Sequence, residues 1–181
     1  MSQRDREWLD AHNIRRKDWH ENKWNLPYVP LIYSHTLAAD AKNWAEEHLN
    51  DCYTPKDLYH EPNVTQGENL AGNKGNGGWG RLYSPDRIIN RWVDFEENWL
   101  WPANAHLTQA LWRASTYMGC GESIKVESNG KICRRQVCRY LKAGNCAMGS
   151  PKWAEDVQRI ESIKQDDSAC GDMCPVEGCY V

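Results

Sequence analysis

The sequence predicts an α+β fold in which three helices precede a late β-hairpin. Apolar and aromatic residues recur at helical spacing as far as Glu96, whereas an Asn129-Gly130 dipeptide later separates two strand-like segments. Eight cysteines, seven of them in the second half of the chain, indicate disulfide bracing rather than the paired knuckles of a zinc ribbon. At 181 residues the chain suits a single hydrophobic core.

Each predicted helix has a residue pattern that marks its start, and each has one face on which mostly apolar or aromatic residues recur. The first runs from about Ser2 or Gln3 to Trp19, with Ser2 as a candidate cap, and the second begins after Ser34. The third begins at Ser84-Pro85-Asp86, because Ser caps, Pro is preorganised at the first position and Asp meets the positive helix end. The residues that share a face are, helix by helix, Trp8, His12, Arg15 and Trp19; Leu37, Ala38, Ala41, Trp44, Ala45 and His48; and Ile88, Ile89, Trp92, Val93 and Glu96.

The remaining segments are predicted from their turn residues. Residues 53–83 contain six glycines and are expected to be mostly loop, without the ending of a phosphate-binding loop. Tyr117–Val126 and Ile132–Leu141 are expected to pair around Asn129-Gly130, which favours a tight turn. Residues 149–181 are polar, and we expect them to form a Cys-rich C-terminal extension.

Composition narrows the function classes. The net charge of -3 argues against a nucleic-acid partner, and the apolar runs are too short for a transmembrane segment. The cysteines favour an oxidising, extracellular location, although residues 1–6 lack the apolar core of a signal peptide, so secretion would require that a leader was removed. The sequon Asn63-Val64-Thr65 adds weak support. We expect a monomer with a lipid, glycan or protein ligand.

Ten tryptophans raise the question of a stacking surface for carbohydrate. Trp44, Trp92 and Trp112 lie on amphipathic faces and are expected in the core. The loop tryptophans are the candidates for exposure; they are Trp24, Trp79, Trp99 and Trp101.

Four segments in order resemble the signatures of the CAP superfamily, which comprises cysteine-rich secretory, antigen-5-like and pathogenesis-related proteins. They are Ala11-His12-Asn13-Ile14-Arg15-Arg16, Gly67-Glu68-Asn69-Leu70-Ala71, His106 to Trp112, and Met118-Gly119-Cys120-Gly121; Cys138-Arg139-Tyr140 and Ala143-Gly144-Asn145 resemble the closing strand and turn. The resemblance implies a CAP domain over residues 3–148, built as a three-layer α-β-α sandwich around a central antiparallel sheet. It also implies a Cys52–Cys120 disulfide and a role in defence, signalling or the binding of sterol or fatty acid.

The resemblance further implies a cleft of two histidines and two acids. His60, Glu68 and His106 match three of its positions. The fourth position, three residues after Trp92, holds Phe95 here. We assign Glu96 instead, because it stays on the helical side of Trp92 whereas Asp94 points away.

Two imidazoles and two carboxylates suit more than one chemistry. His60 and His106 are candidate ligands for Zn2+, with the glutamates as direct or indirect partners. The alternative is a hydrogen-bonded structural network without metal. The preferred function is a non-enzymatic binding module, and the rival is a metal-dependent hydrolase acting from the same cleft. No serine nucleophile with an orienting acid can be identified.

Two further expectations concern a lipid groove and a pair of cysteines. We hypothesise an apolar groove for lipid in the space between the first and second helices. Cys133 and Cys138 are not expected to bond each other, since five residues along a strand separate them too far and place them on opposite faces.

Overall fold

The computed structural model describes residues 1–54, 58–145 and 161–164. Its helices are α1 (Gln3–Lys17), α2 (His35–Glu47), α3 (Pro85–Ile89), α4 (Ala105–Leu111) and α5 (Glu161–Lys164). Its strands are β1 (Ile32–Tyr33), β2 (Gly67–Gly75), β3 (Tyr117–Val126) and β4 (Ile132–Leu141). Short π-helical turns follow α1 at Asp18–Lys23 and α3 at Asn90–Asp94.

The three predicted helix starts are confirmed by their caps. The Ser2 hydroxyl accepts a hydrogen bond from the Asp5 amide, and the Asp5 carboxylate accepts one from the Ser2 amide, which is a complete capping box. Ser34 and Ser84 likewise accept hydrogen bonds from the amides three residues later. These contacts satisfy amide groups that a helix leaves unpaired at its first turn.

The sheet has the strand order β1-β3-β4-β2. The predicted hairpin of β3 and β4 is confirmed to the residue, and β2 pairs antiparallel with β4 over its whole length, while the short β1 runs parallel to β3. Residues 53–83 were expected to be mostly loop, and the strand β2 within this range was not predicted. This strand is rich in glycine and poor in β-branched residues, so its stability comes from pairing with β4 and not from local propensity.

Helices cover both faces of the sheet, which confirms the three-layer sandwich. On one face, α2 packs through Ala41 and Trp44 against Leu70 and Val137. On the other face, the main core joins α1, α3 and α4 to the side chains of β2, β3 and β4 that point toward them. Within the described residues, no helix is long and apolar enough to cross a membrane.

The disulfides correct one prediction and confirm another. The bonds are Cys52–Cys133 and Cys120–Cys138, so the expected Cys52–Cys120 bond was wrong. Cys120 and Cys138 lie directly opposite each other in the β3–β4 register and belong to the core on the α1 side. Cys52 follows α2 on the other face, so the sheet lies between it and Cys120. Cys133 and Cys138 are not bonded to each other, as predicted.

Most of the predicted extension, residues 149–181, lies outside the described residues, as do its cysteines. The exception is α5, where Ile163 is fully buried in the main core. The Ile163 carbonyl accepts a hydrogen bond from the Arg113 amide at 3.0 Å. This turn of the extension therefore packs onto the body of the protein.

A histidine and glutamate cleft as the candidate functional site

His60 is held by a buried glutamate at the start of β2. Its Nδ1 donates to Glu68 Oε1 at 2.6 Å, and the same oxygen accepts the Glu61 amide at 3.2 Å. The Glu68 side chain is 2 % exposed, whereas the His60 side chain is 64 % exposed. A carboxylate cannot donate when ionised, so this contact fixes the proton on Nδ1 and leaves the Nε2 lone pair free for another partner.

His106, at the start of α4, repeats this arrangement with a different glutamate. Its Nδ1 donates to Glu96 Oε1 at 2.6 Å, while Glu96 Oε2 accepts the Leu107 amide at 3.1 Å. The His106 ring also stacks on Trp92, with centroids 6.0 Å apart and planes 7° from parallel. These contacts define the position and tautomer of the second imidazole.

The π-helical turn after α3 explains why Glu96 and not Phe95 reaches His106. Its closing hydrogen bond runs from the Phe95 amide to the Asn90 carbonyl, five residues back, so the turn holds one more residue than an α-turn. Phe95 is 67 % exposed and Glu96 is 4 % exposed. Asp94 points to the other side, where it pairs with Arg15.

Two cavities meet at the histidine pair. The first, of about 500 Å³, is lined by residues that include Glu68, Asn69 and Gln109. The second, of about 630 Å³, is lined by apolar and aromatic side chains that include Trp92, Phe95 and Trp99. His60 and His106 line both cavities. The structure thus brings all four predicted residues to one cleft, with the glutamates behind the imidazoles.

The carboxylates are already engaged, which limits what the cleft can offer a metal ion. Both oxygens of Glu96 accept hydrogen bonds, and Glu68 uses one oxygen for His60 and the other for Arg139. Neither imidazole Nε2 has a hydrogen-bond partner among the described residues. Within that part of the chain, no three His, Cys, Asp or Glu side chains form a metal-binding group. With the glutamates engaged, the two imidazole Nε2 atoms are what the four cleft residues can still offer a ligand.

Arg139 was not predicted as part of the site. This fully buried side chain from β4 pairs with Glu68 at 2.8 Å and with Glu61. It supplies a positive charge to two acids that flank His60, one of which is itself buried. The sequence signal was its alternation with Cys138 and Tyr140, which places Arg139 on the opposite face of β4 from them.

A buried hydrogen-bond chain behind His106 was also missed. His12 donates from Nδ1 to the Trp8 carbonyl at 2.8 Å, so its Nε2 accepts from the Tyr140 hydroxyl at 2.7 Å. The Asn69 amide donates to the His106 carbonyl at 3.0 Å and contacts the Tyr140 hydroxyl at 3.4 Å. Burial raises the pKa of Tyr140 and lowers the pKa of His12 to about 4. This series of hydrogen bonds therefore connects α1, β4, β2 and α4 through uncharged groups.

The tryptophan predictions were partly right. Trp44, Trp92 and Trp112 are buried, as expected. Of the four loop tryptophans, Trp79 and Trp99 are exposed, whereas Trp101 is buried and Trp24 packs edge-on against Trp19. Only Trp99 of this loop set lines a cavity at the histidine pair.

Comparison with known proteins gives a family match over most of the chain. Residues 9–140 match the sequence model of the cysteine-rich secretory protein family, CAP. Pathogenesis-related protein 1 of Arabidopsis thaliana is 30% identical over 151 residues, covering 80% of each chain. Pathogenesis-related protein 1B of Nicotiana tabacum is 29% identical over 153 residues, covering 80% of this chain and 79% of its own.

Solved structures show the same fold at lower identity. BmVAL-1 aligns with a TM-score of 0.61 and 19% identity, covering 80% of this chain and 79% of its own. NaASP2, solved with Zn2+, aligns with a TM-score of 0.57 and 19% identity, covering 80% of this chain and 83% of its own. At this identity the likeness establishes the fold of the chain.

Proposed function

Because the chain belongs to the cysteine-rich secretory protein (CAP) family, we propose that it is a secreted, non-enzymatic binding protein whose cleft holds Zn2+ through His60 and His106. The observation that carries this proposal is the paired engagement of both Nδ1 atoms by buried glutamates. An imidazole held in this way presents a neutral Nε2 of increased basicity to a metal. Similarity to the pathogenesis-related proteins connects the proposal to defence.

Zinc chemistry is consistent with the residues of the cleft. Zinc takes imidazole nitrogen readily, and its ligating histidines commonly donate their other nitrogen to a carboxylate. NaASP2, which shares the fold, was solved with Zn2+. In the present chain His60 and His106 would hold the ion, Glu68 and Glu96 would orient these ligands, and water would complete the shell.

The count of protein ligands favours binding over hydrolysis. Catalytic zinc sites usually have three protein ligands and one open position. The described residues provide two imidazoles whose glutamate partners are already hydrogen-bonded, and they contain no group of three. The rival hydrolase needs a third zinc ligand, and no group of three potential ligands is found within the described ranges.

Calorimetric titration with zinc chloride tests the metal proposal. We expect saturable binding by the wild-type protein and its loss in His60→Ala and His106→Ala. The matched control is His35→Ala, because His35 is an exposed histidine outside the cleft. Glu68→Gln should weaken binding by about 10 to 100-fold, since it alters the group that orients His60 without removing an imidazole ligand. Equal heats in the wild type and both cleft variants would place any bound zinc elsewhere.

The second cavity favours an apolar ligand as a second bound species. Leu58, Leu70 and Trp99 line it together with Phe95, whose ring contacts Trp99 edge-on at 5.1 Å. Its volume of about 630 Å³ lies in the range of small-molecule sites. The cavity that residues of α1 and α2 share, where a lipid groove was hypothesised, carries the charged side chains of Arg4, Asp5 and Lys42 beside Trp8 and Tyr33. We therefore assign the sterol or fatty-acid hypothesis to the second cavity.

Binding of labelled sterol and fatty acid tests this assignment. Saturable binding that Trp99→Ala weakens and Trp79→Ala leaves unchanged would support it, because both tryptophans are exposed but only Trp99 lines the cavity. A folded wild-type protein that binds neither ligand would contradict it.

A further inference from the structure

The loop between His60 and β2 contains the one Asn-x-Ser/Thr sequon of the chain, Asn63-Val64-Thr65. Asn63 lies in an exposed turn with a φ of 60°, a left-handed conformation that asparagine tolerates better than most residues. Thr65 is also exposed, and neither of the two residues is in a helix or strand. The Asn63 side chain makes no hydrogen bond to the described residues, so its amide nitrogen is open to modification.

We propose that Asn63 carries an N-linked glycan and that this glycan stands at the mouth of the first cavity. Val64 and Thr65 line that cavity together with His60. Adjacent Cα atoms are about 3.8 Å apart, so the root of the glycan lies one residue from the cavity wall. The inference rests on the secretory route in the proposed function, because sequons are modified only in chains that enter that pathway.

The modification is a transfer from a lipid-linked oligosaccharide diphosphate. The Asn63 amide nitrogen forms a bond to the anomeric carbon of the first sugar, the bond from that carbon to the diphosphate breaks, and the amide loses one proton. The product is bulky and strongly hydrated. At this position it limits access to the first cavity and leaves the second cavity, which neither Asn63 nor its two neighbours line, open.

The surroundings of Asn63 are compatible with such a group. Val64 is half-buried and also borders a smaller cavity beside Trp44, so it anchors the loop below the modified residue. Asn63 itself has no packing role to lose, because it is exposed. A glycan at this position therefore adds bulk outside the fold.

Translation of the leader-fused full chain in the presence of endoplasmic-reticulum microsomes tests the modification. We expect a mass increase of one glycan that peptide-N-glycosidase removes. Asn63→Gln and Thr65→Ala should abolish the increase, whereas Thr65→Ser, which preserves the sequon, should retain it. A folded chain inside the microsomes with unmodified Asn63 would overturn the proposal.

Two further measurements locate the glycan and separate this inference from the proposed function. Diethylpyrocarbonate should modify His60 about two-fold or more slowly in the glycosylated protein than in the enzymatically deglycosylated one, as expected of a bulky neighbouring group, with exposed His35 unchanged. Equal rates at His60 would refute a glycan at the cleft. Zinc binding by the Asn63→Gln protein tests the proposed function alone, because that variant keeps the whole histidine and glutamate cleft.

Discussion

The buried imidazole of His12 makes a specific prediction about stability in acid. His12 is 1 % exposed, accepts a hydrogen bond from Tyr140 and packs against Trp92. Burial is the main reason that its pKa falls from an ordinary 6.5 to about 4, and the nearby Arg16 charge acts in the same direction. Protonation in the folded protein would place an uncompensated charge in the core.

The size of the effect follows from the difference between the two pKa values. The unfolded chain takes up a proton at His12 as pH falls through 6.5, whereas the folded chain does so only near pH 4. Because the folded pKa is the lower one, stability is fully present above pH 6.5 and is lost as pH falls from 6.5 toward 4. At 1.36 kcal/mol per pKa unit, the free energy of unfolding falls by about 2 kcal/mol at pH 5 and about 3 kcal/mol at pH 4.

Urea unfolding of wild type and His12→Gln over this pH range is the assay. Gln retains a donor for the Trp8 carbonyl and an acceptor for Tyr140 but does not titrate. The variant should be less stable at neutral pH by about 1–3 kcal/mol because it loses ring packing. Its stability should nevertheless fall less steeply in acid. His20, whose pKa is also lowered to about 4, titrates in both proteins, so its contribution cancels in the comparison.

The control is His35→Gln at an exposed position, which should leave the pH dependence unchanged. Parallel stability curves for wild type and His12→Gln between pH 7 and pH 4 would show that His12 does not cause the loss of stability in acid. That result would mean that His12 is protonated in the folded protein or is compensated by another group.

Three further predictions concern the site and the frame that holds it. Arg139→Met should lower the free energy of unfolding by about 3–5 kcal/mol in urea titrations, because it leaves buried Glu68 without its cation; a loss below about 1 kcal/mol would contradict this. Gly121→Ala should destabilise by about 1–3 kcal/mol or more, because its Cβ would lie 2.1 Å from the Lys42 backbone nitrogen, and unchanged thermal unfolding would show that α2 sits farther from β3. Peptide mapping without reduction should yield Cys52–Cys133 and Cys120–Cys138, and recovery of Cys52–Cys120 would contradict the face assignment.

Local signals account for the parts of the fold that the sequence predicted well. Ser2, Ser34 and Ser84 satisfy amide groups within three residues of themselves, so each helix start depends only on neighbouring residues. The β3–β4 hairpin is likewise specified by its alternation and by the turn between its strands. Such features depend on a few adjacent positions and can be predicted without tertiary information.

The errors arise where distant segments decide the outcome. Strand β2 has low intrinsic strand propensity and forms because β4 pairs with all nine of its residues. The disulfide error has a similar origin, since family order does not reveal that the sheet separates Cys52 from Cys120. Sequence reasoning could therefore identify the cysteines but not their partners.

In the candidate site, too, local sequence signals identified some residues, whereas contacts between distant segments were not predicted. His60, Glu68, Glu96 and His106 could be selected from motif positions and helix geometry. The pairing of Arg139 with Glu61 spans 78 residues and could not be predicted from either local segment. The π-helical turn that directs Glu96 inward also depends on how α3 packs, although the helical side of Trp92 already favoured Glu96 over Asp94.

The tautomers of the two cleft histidines decide whether both imidazoles present a free Nε2 to zinc. Long-range proton–nitrogen correlation spectra of labelled protein at slightly alkaline pH distinguish Nδ1–H from Nε2–H rings. We expect His60 and His106 both to be in the Nδ1–H form, and we expect zinc to shift both Nε2 resonances while leaving those of His35 unchanged. An Nε2–H ring at either position, or zinc addition without a shift at His60 and His106, would rule out zinc binding by this histidine pair.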